Sequence, residues 1–202
     1  RSPSLNKDSP PRSLAVLSAR HVSSARPQPR FSSAIPASAY TTLSTPGDWN
    51  RPEWTKLWIY NAHYFDDLAA ADAEARSAWH EALIARWIAE NPPGQGNGWE
   101  PYPTSLRIVN WIKHALAGHP LDERSRHSLA VQARWLRKRL EVHLLGNHLW
   151  ANAKALAFAG AYLDGPEAGE WLRHGLALLR RELDEQILAD GGWVDSDGDG
   201  IV

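Results

Sequence analysis

Two groups of residues in this 202-residue chain have the types and spacing to do chemistry. The first is Asn147-His148, directly after Gly146 and at the head of the alanine-rich run ANAKALAFAGAY. If that run is a helix, an amide and an imidazole project from its N-terminus, where free N–H groups and the helix dipole favour an anion. The other reading of Asn147 is an N-cap, a common role for asparagine, and one side chain can serve both. The second group is Trp99, Tyr102, Arg107, Asn110 and Trp111, on and just after the glycine-rich loop GQGNGWEPYP. Aromatic faces there could stack sugar rings, and the guanidinium could pair a carboxylate or sulfate. Against this stands a packing reading, with Trp111 and Tyr102 in the core and Arg107 bridging helices. His63 and Tyr64 lie in an aromatic segment whose expected role is core packing. No HExxH or i,i+4 histidine pair occurs, so neither a metal nor a cofactor is expected.

The elements that must position these residues are helical. Residues 54–68 (WTKLWIYNAHYFDDL) are aromatic, with Leu57, Tyr60, Tyr64 and Leu68 at helical spacing. A second helix is predicted over 72–90, stopped by Asn91-Pro92-Pro93. Thr104 or Ser105 is the expected cap of a third, over 105–117, whose apolar face is Leu106, Val109, Ile112 and Leu116. A fourth over 122–143 points Leu129, Ala133, Leu136 and Leu140 inward and leaves a basic face (RWLRKR), read as solvated. The fifth, 147–163, is rich enough in alanine to let neighbours approach closely. The sixth, 166–188, opens on a proline at its first turn and carries Trp171, Leu172, Leu176, Leu179, Leu183 and Ile187. Six helices without a convincing strand give an all-α fold of stacked helical hairpins. Residues 1–45, rich in Ser, Pro, Ala and Arg, read as a disordered or loosely attached leader, and 193–202 as a polar acidic tail.

Composition narrows the partners. Net charge is −1, which gives no bulk electrostatic reason to bind nucleic acid. No apolar run reaches the roughly 20 residues that span a bilayer. Cysteine is absent, which excludes disulfides and thiolate metal sites. Eleven tryptophans serve helix packing or sugar stacking, and the number alone does not separate the two. In the tail, Asp195, Asp197, Asp199 and Gly200 match the opening of a calcium loop that lacks its later acidic ligand, so a flexible acidic tail is the preferred reading.

Three longer stretches carry a resemblance. WNRPEWTKLWIYNAHYFDDL (49–68), NPPGQGNGWEPYPTSLRIVNWIK (91–113) and LEVHLLGNHLWANAKALAFAG (140–160), followed by ELDEQILADGG (182–192), resemble the heparinase II/III family in the same order. The resemblance implies that 46–192 is the N-terminal part of an incomplete (α/α) toroid. It further implies a β-sandwich domain elsewhere in the same polypeptide and eliminative cleavage of uronic-acid polysaccharides, heparan sulfate-like or alginate-like, in the periplasm or outside the cell. By the same resemblance, Asn147 would neutralise the substrate carboxylate and His148 would be its partner or an auxiliary base. A proton alpha to a carboxylate leaves only if donors are placed where charge develops, with a base at C5 and an acid at the leaving oxygen. In the family a Tyr-His pair follows the DGG segment. Here WVDSDGDGIV follows it and no tyrosine lies beyond Tyr162, so an incomplete enzyme is expected. A non-catalytic carbohydrate-binding module and a helical-repeat interaction protein are the alternatives. A toroidal glycoside hydrolase is weaker still, because Glu100 is the only acid in a plausible cleft loop.

Overall fold

The computed structural model describes residues 43–143 and 147–186, all within the compact unit Ser33–Val202. The leader, except for its last residues, the chain from 187 onward and the acidic tail lie outside the described residues. Six α-helices follow one another: α1 (Lys56–Ala62), α2 (Ser77–Glu90), α3 (Pro101–Leu116), α4 (Glu123–Arg137), α5 (Asn147–Tyr162) and α6 (Pro166–Gln186). Short 3-10 turns, among them Asp66–Ala69 and Asn97–Trp99, join the first of them. No strand occurs among the described residues, and the fold is all-α.

α3 is the hub. Ile108, Val109, Trp111 and Ile112 are buried, and so are Arg107, Asn110 and His114 on its other sides. The predicted one-sided stripe does not hold: Leu116 is 72% exposed because it lies on the one face no helix covers. The helix also begins earlier than predicted, at Pro101, whose ring presets a first-turn φ. Thr104 and Ser105, expected as caps, lie inside it. Their hydroxyls donate back to Gly98 and Pro101 carbonyls at 3.2 and 2.8 Å.

Neighbours alternate in direction around α3. His80 meets His114 and Trp87 meets Trp111, so α2 runs antiparallel to α3. Across the next contact Asn152 bonds Ser105 and Ile112 lines a groove with Ala157 and Phe158, so α5 runs parallel to α3. α4 supplies Leu129, Ala133 and Leu136 to the core, as its pattern predicts, and its last-turn cations stay in solvent. It stops at Arg137, short of the predicted end.

The aromatic segment 54–68 is shorter in helix than its spacing predicts. α1 opens on Thr55, whose hydroxyl accepts from Trp58 N–H, and closes at Ala62. The carbonyls of His63 and Tyr64 are taken by Arg107 and Asn110 of α3, at 3.3 and 2.9 Å, so no further turn can use them. Phe65 then adopts φ 62, a left-handed conformation that is uncommon for a bulky residue. Leu57, at helical spacing with Tyr60 and Tyr64, is 69% exposed.

α5 and α6 form an antiparallel hairpin fitted by two glycines. A Cβ on Gly160 would strike the Leu172 nitrogen and Ala168 carbonyl. One on Gly175 would come within 2.6 Å of the Ala157 nitrogen. Leu176 and Leu183, expected inward, are 52% and 40% exposed, while Leu178 is buried in their place. Gly160→Ala should therefore lower unfolding stability by about 1–3 kcal/mol through overpacking. Gly169→Ala, where a Cβ meets nothing within 4 Å, should raise it by roughly 0.5–1 kcal/mol. Urea unfolding of the two variants checks both signs.

Candidate functional site

Parallel α3 and α5 bring their N-terminal turns to the same end of the fold. There Tyr102 and His148 lie ring against ring, with centroids 4.4 Å apart and planes at 32°. Tyr64 meets Tyr102 edge-on at 6.0 Å. Asn147 is the first residue of α5 and is exposed, and His148 is partly exposed beside it. Residues 144–146, which precede the helix, are outside the described residues.

A buried amide holds this junction. Asn152, fully buried one turn beyond His148, accepts from Glu141 N–H at 2.8 Å. It donates to Ser105 Oγ at 3.0 Å and Glu141 Oε2 at 3.2 Å. It thereby fastens the segment after α4 to both α3 and α5. Glu141 Oε1 in turn sits 3.1 Å from His148 Nδ1, at ion-pair distance but off the hydrogen-bond line. Across the cleft the Tyr60 hydroxyl donates to Glu100, which also pairs with Lys56 at 2.9 Å. Asp66 accepts from Asn110 Nδ2 at 2.8 Å.

Burial raises the phenols of Tyr60, Tyr64 and Tyr102, and neighbouring groups add to it: Glu100 at Tyr60, Tyr102 at Tyr64, Asp66 at Tyr102. All three therefore remain hydroxyl donors at neutral pH. Burial also raises the Asp66 carboxyl, against the opposing pull of Asn110 and Lys113. Three phenols, an imidazole and an exposed amide at one helix end can bind a carboxylate and deliver a proton to an oxygen.

The second sequence-predicted group divides. Tyr102 lies in the cleft. Asn110 lies behind it, its amide nitrogen committed to Tyr64 and Asp66. Trp99, Arg107 and Trp111 are interior, with 3%, 0% and 0% exposure, and offer no surface to a sugar. The glycine-rich loop explains this correction. Gly94 packs on the Trp135 ring and Gly98 on the His63 ring, where any Cβ would clash. The loop therefore folds inward and carries Trp99 with it. Arg107 bonds Gln132 Oε1 at 2.9 Å and lies 3.8 Å above the Trp87 ring, which is the bridging role of the packing reading. His63 is likewise core. Its Nδ1 accepts from Trp87 at 2.9 Å, so its other nitrogen carries the proton that Trp49 O accepts at 3.0 Å.

Sequence reasoning passed over Tyr60, Asp66, Glu141 and Asn152. A signal existed for Asn152 alone, a lone amide in an alanine helix, which when buried must find partners.

Comparison with known proteins bears on this junction. Residues 122–197 match the family described as Heparinase II/III N-terminus. This part of the chain is similar to the heparinase II/III N-terminal family. The match takes in α4, Glu141, Asn147, His148 and Asn152. Tyr60, Tyr64 and Tyr102 precede the heparinase II/III match. The chain is also similar to a heparin-sulfate lyase of Bacteroides stercoris, at 26% identity over 140 residues. That alignment covers 65% of this chain and 18% of the relative, so the chain spans under a fifth of the relative's length. No solved structure matches.

Two buried imidazoles give this helical fold a defined acid response. Burial lowers His63 from 6.5 to about 3, with Arg107 adding to it. His114 falls to about 4, by burial and then by His119 and His80. Both are neutral in the folded chain and protonate in the unfolded one below pH 6.5, so the unfolded state binds more protons there. Stability is thus full above that pH and falls as pH drops towards the folded values. Each imidazole contributes a slope of about 1.4 kcal/mol per pH unit. Urea unfolding across this range should show the slope, and His114→Gln should reduce it.

Proposed function

We propose that this chain is the N-terminal helical part of a polysaccharide lyase that cleaves uronic-acid polysaccharides by β-elimination. In this reading Asn147 and His148 meet the uronate at the α5 N-terminus. The observation that carries the proposal is the Tyr102–His148 pair beside exposed Asn147. It sets neutral donors where an enolate dianion would gather charge. The similarity to a heparin-sulfate lyase of Bacteroides stercoris supports an anionic polysaccharide as the substrate class.

Asn147 would donate its amide to the uronate carboxylate, reinforced by the free N–H groups of the first turn. His148, with Glu141 at Nδ1, would use Nε2 as base or donor. Tyr102, held as a phenol, would stabilise or protonate oxygen rather than abstract a carbon-bound proton, while the Tyr60 hydroxyl is already given to Glu100. The remaining acid/base work and a β-sandwich domain would come from elsewhere in the polypeptide. We also read the alternation of α2, α3, α4, α5 and α6 as part of an (α/α) toroid. The apolar groove of about 360 Å³ lined by Ile112, Leu116, Phe158 and Leu176 would receive the next hairpin. A periplasmic or extracellular setting goes with this substrate.

The test is calorimetric titration of the chain with uronate oligosaccharides, with the ultraviolet absorbance of unsaturated uronate as a second readout. Asn147→Ala should weaken binding roughly tenfold or more, the loss of one charge-assisted hydrogen bond, and remove any absorbance increase. Binding unchanged in both Asn147→Ala and His148→Ala would move the glycan away from this helix end and remove the basis for the lyase reading.

A further inference from the structure

The junction behind His148 has a fixed direction. Glu141 N–H can only donate, so the Asn152 oxygen must face it, at 2.8 Å. The Asn152 amide nitrogen is thereby turned towards two acceptors, Ser105 Oγ at 3.0 Å and Glu141 Oε2 at 3.2 Å. Ser105 accepts there because its own proton goes to the Pro101 carbonyl of α3, at 2.8 Å. Asn152 is fully buried, so turning its amide over would set N–H against N–H and forfeit buried hydrogen bonds.

The other oxygen of that carboxylate, Oε1, stands 3.1 Å from His148 Nδ1. Nδ1 is buried and has no hydrogen-bond partner among the described residues, while the side chain as a whole is 37% exposed. The ring therefore turns Nδ1 inward to the carboxylate and keeps access to solvent elsewhere. A lone pair on Nδ1 would be repelled by an anionic oxygen at that distance, whereas an N–H would be attracted. Tyr102 covers one face of the ring, with centroids 4.4 Å apart.

We infer that Asn152 and Glu141 are positioning residues for His148: the carboxylate held by Asn152 keeps the imidazole proton on Nδ1 and leaves the Nε2 lone pair for the substrate. This rests on the uronate-polysaccharide reading above and deepens it, because the resting imidazole then accepts a proton and does not donate one. In the elimination Nε2 takes the C5 proton and the C5–H electron pair forms the C4–C5 double bond. The C4–O bond breaks with its pair on the leaving oxygen, which takes up a proton from a phenol or water.

Glu141→Gln separates this role from packing. The variant keeps the shape, but its carbonyl oxygen must serve Asn152 Nδ2, so its NH2 group faces His148 Nδ1. A donor there needs the lone pair on Nδ1 and moves the proton to Nε2.

The experiment is nitrogen NMR of the imidazole rings in the whole chain, read on neutral His148 at the alkaline end of a pH series. His148→Gln assigns its signals. In the wild-type chain Nδ1 should carry the proton and Nε2 the lone pair. In Glu141→Gln the two should exchange, and in Asn152→Ala, where the carboxylate is unfastened, both tautomers should appear. Circular dichroism verifies folding, and if Asn152→Ala does not fold, the Glu141→Gln reversal decides alone. A wild-type proton on Nε2, or one that stays on Nδ1 in Glu141→Gln, overturns the inference and leaves the uronate site standing. Added uronate oligosaccharide tests the reading beneath it: the Nε2 signal should shift, and Asn147→Ala should abolish that shift. If the tautomers reverse as expected and no oligosaccharide moves Nε2, the positioning of the ring holds and the uronate reading fails.

Discussion

The structure depends on one buried charge that bonds to no carboxylate among the described residues. Arg107 is fully buried in the middle of α3, and the groups that receive its guanidinium are all neutral. They are the Gln132 amide of α4, the His63 carbonyl after α1, the Thr104 hydroxyl and the face of Trp87 from α2. A buried cation is tolerated only when its donors are used and its field is met by dipoles or a ring. Four elements are therefore held to one side chain. The consequences spread outward. Because His63 gives its carbonyl to Arg107, α1 stops there, and burial, with the guanidinium adding to it, keeps the His63 imidazole neutral. A neutral ring with a lone pair on Nδ1 is what the Trp87 indole needs as an acceptor.

The tryptophans follow from the same arrangement. Trp87 packs on Arg107 and His63, Trp49 stacks on His63, and Trp99 and Trp111 pack on Trp87; three of these indole N–H groups reach an acceptor: Glu90, His63 and the Asn91 carbonyl. Only the Trp111 nitrogen, buried, finds none. A small helical domain gains much apolar burial from such side chains, and the polar tips serve as pins between helices.

Much of this was legible beforehand, and the rest was hidden for identifiable reasons. The helices, the inward face of α4 and the tight α5–α6 contact announce themselves through periodicity, proline stops and small residues. Asn147 and His148, and separately Tyr102, could be named as candidates from residue type and position, but that Tyr102 meets His148 could not. Trp99, Arg107 and Trp111 were open to two readings, since a glycine loop can present aromatics or bury them. The backbone's approach to the Trp135 and His63 rings is what decides. The truncation of α1 could not be read, because the groups that cap its end lie more than forty residues away on α3. Glu141 and Asp66 stayed hidden likewise, their significance resting on neighbours from other helices.

The spacing of those long-range bonds has a kinetic meaning. The α5–α6 hairpin closes across three residues, 163–165, and zips along small side chains, so it forms at little loop-closure cost. The cleft is assembled differently. Its ties from Arg107 to His63, Asn110 to Tyr64 and Asn152 to Ser105 close loops of 44, 46 and 47 residues. Contacts of that separation come late in folding and are the first to be lost when a domain loosens. The hairpin bearing Asn147 and His148 is thus the unit expected to form first, and its junction with Tyr60, Tyr64 and Tyr102 the later one. In amide exchange, the order of protection would run from the hairpin outward to the cleft.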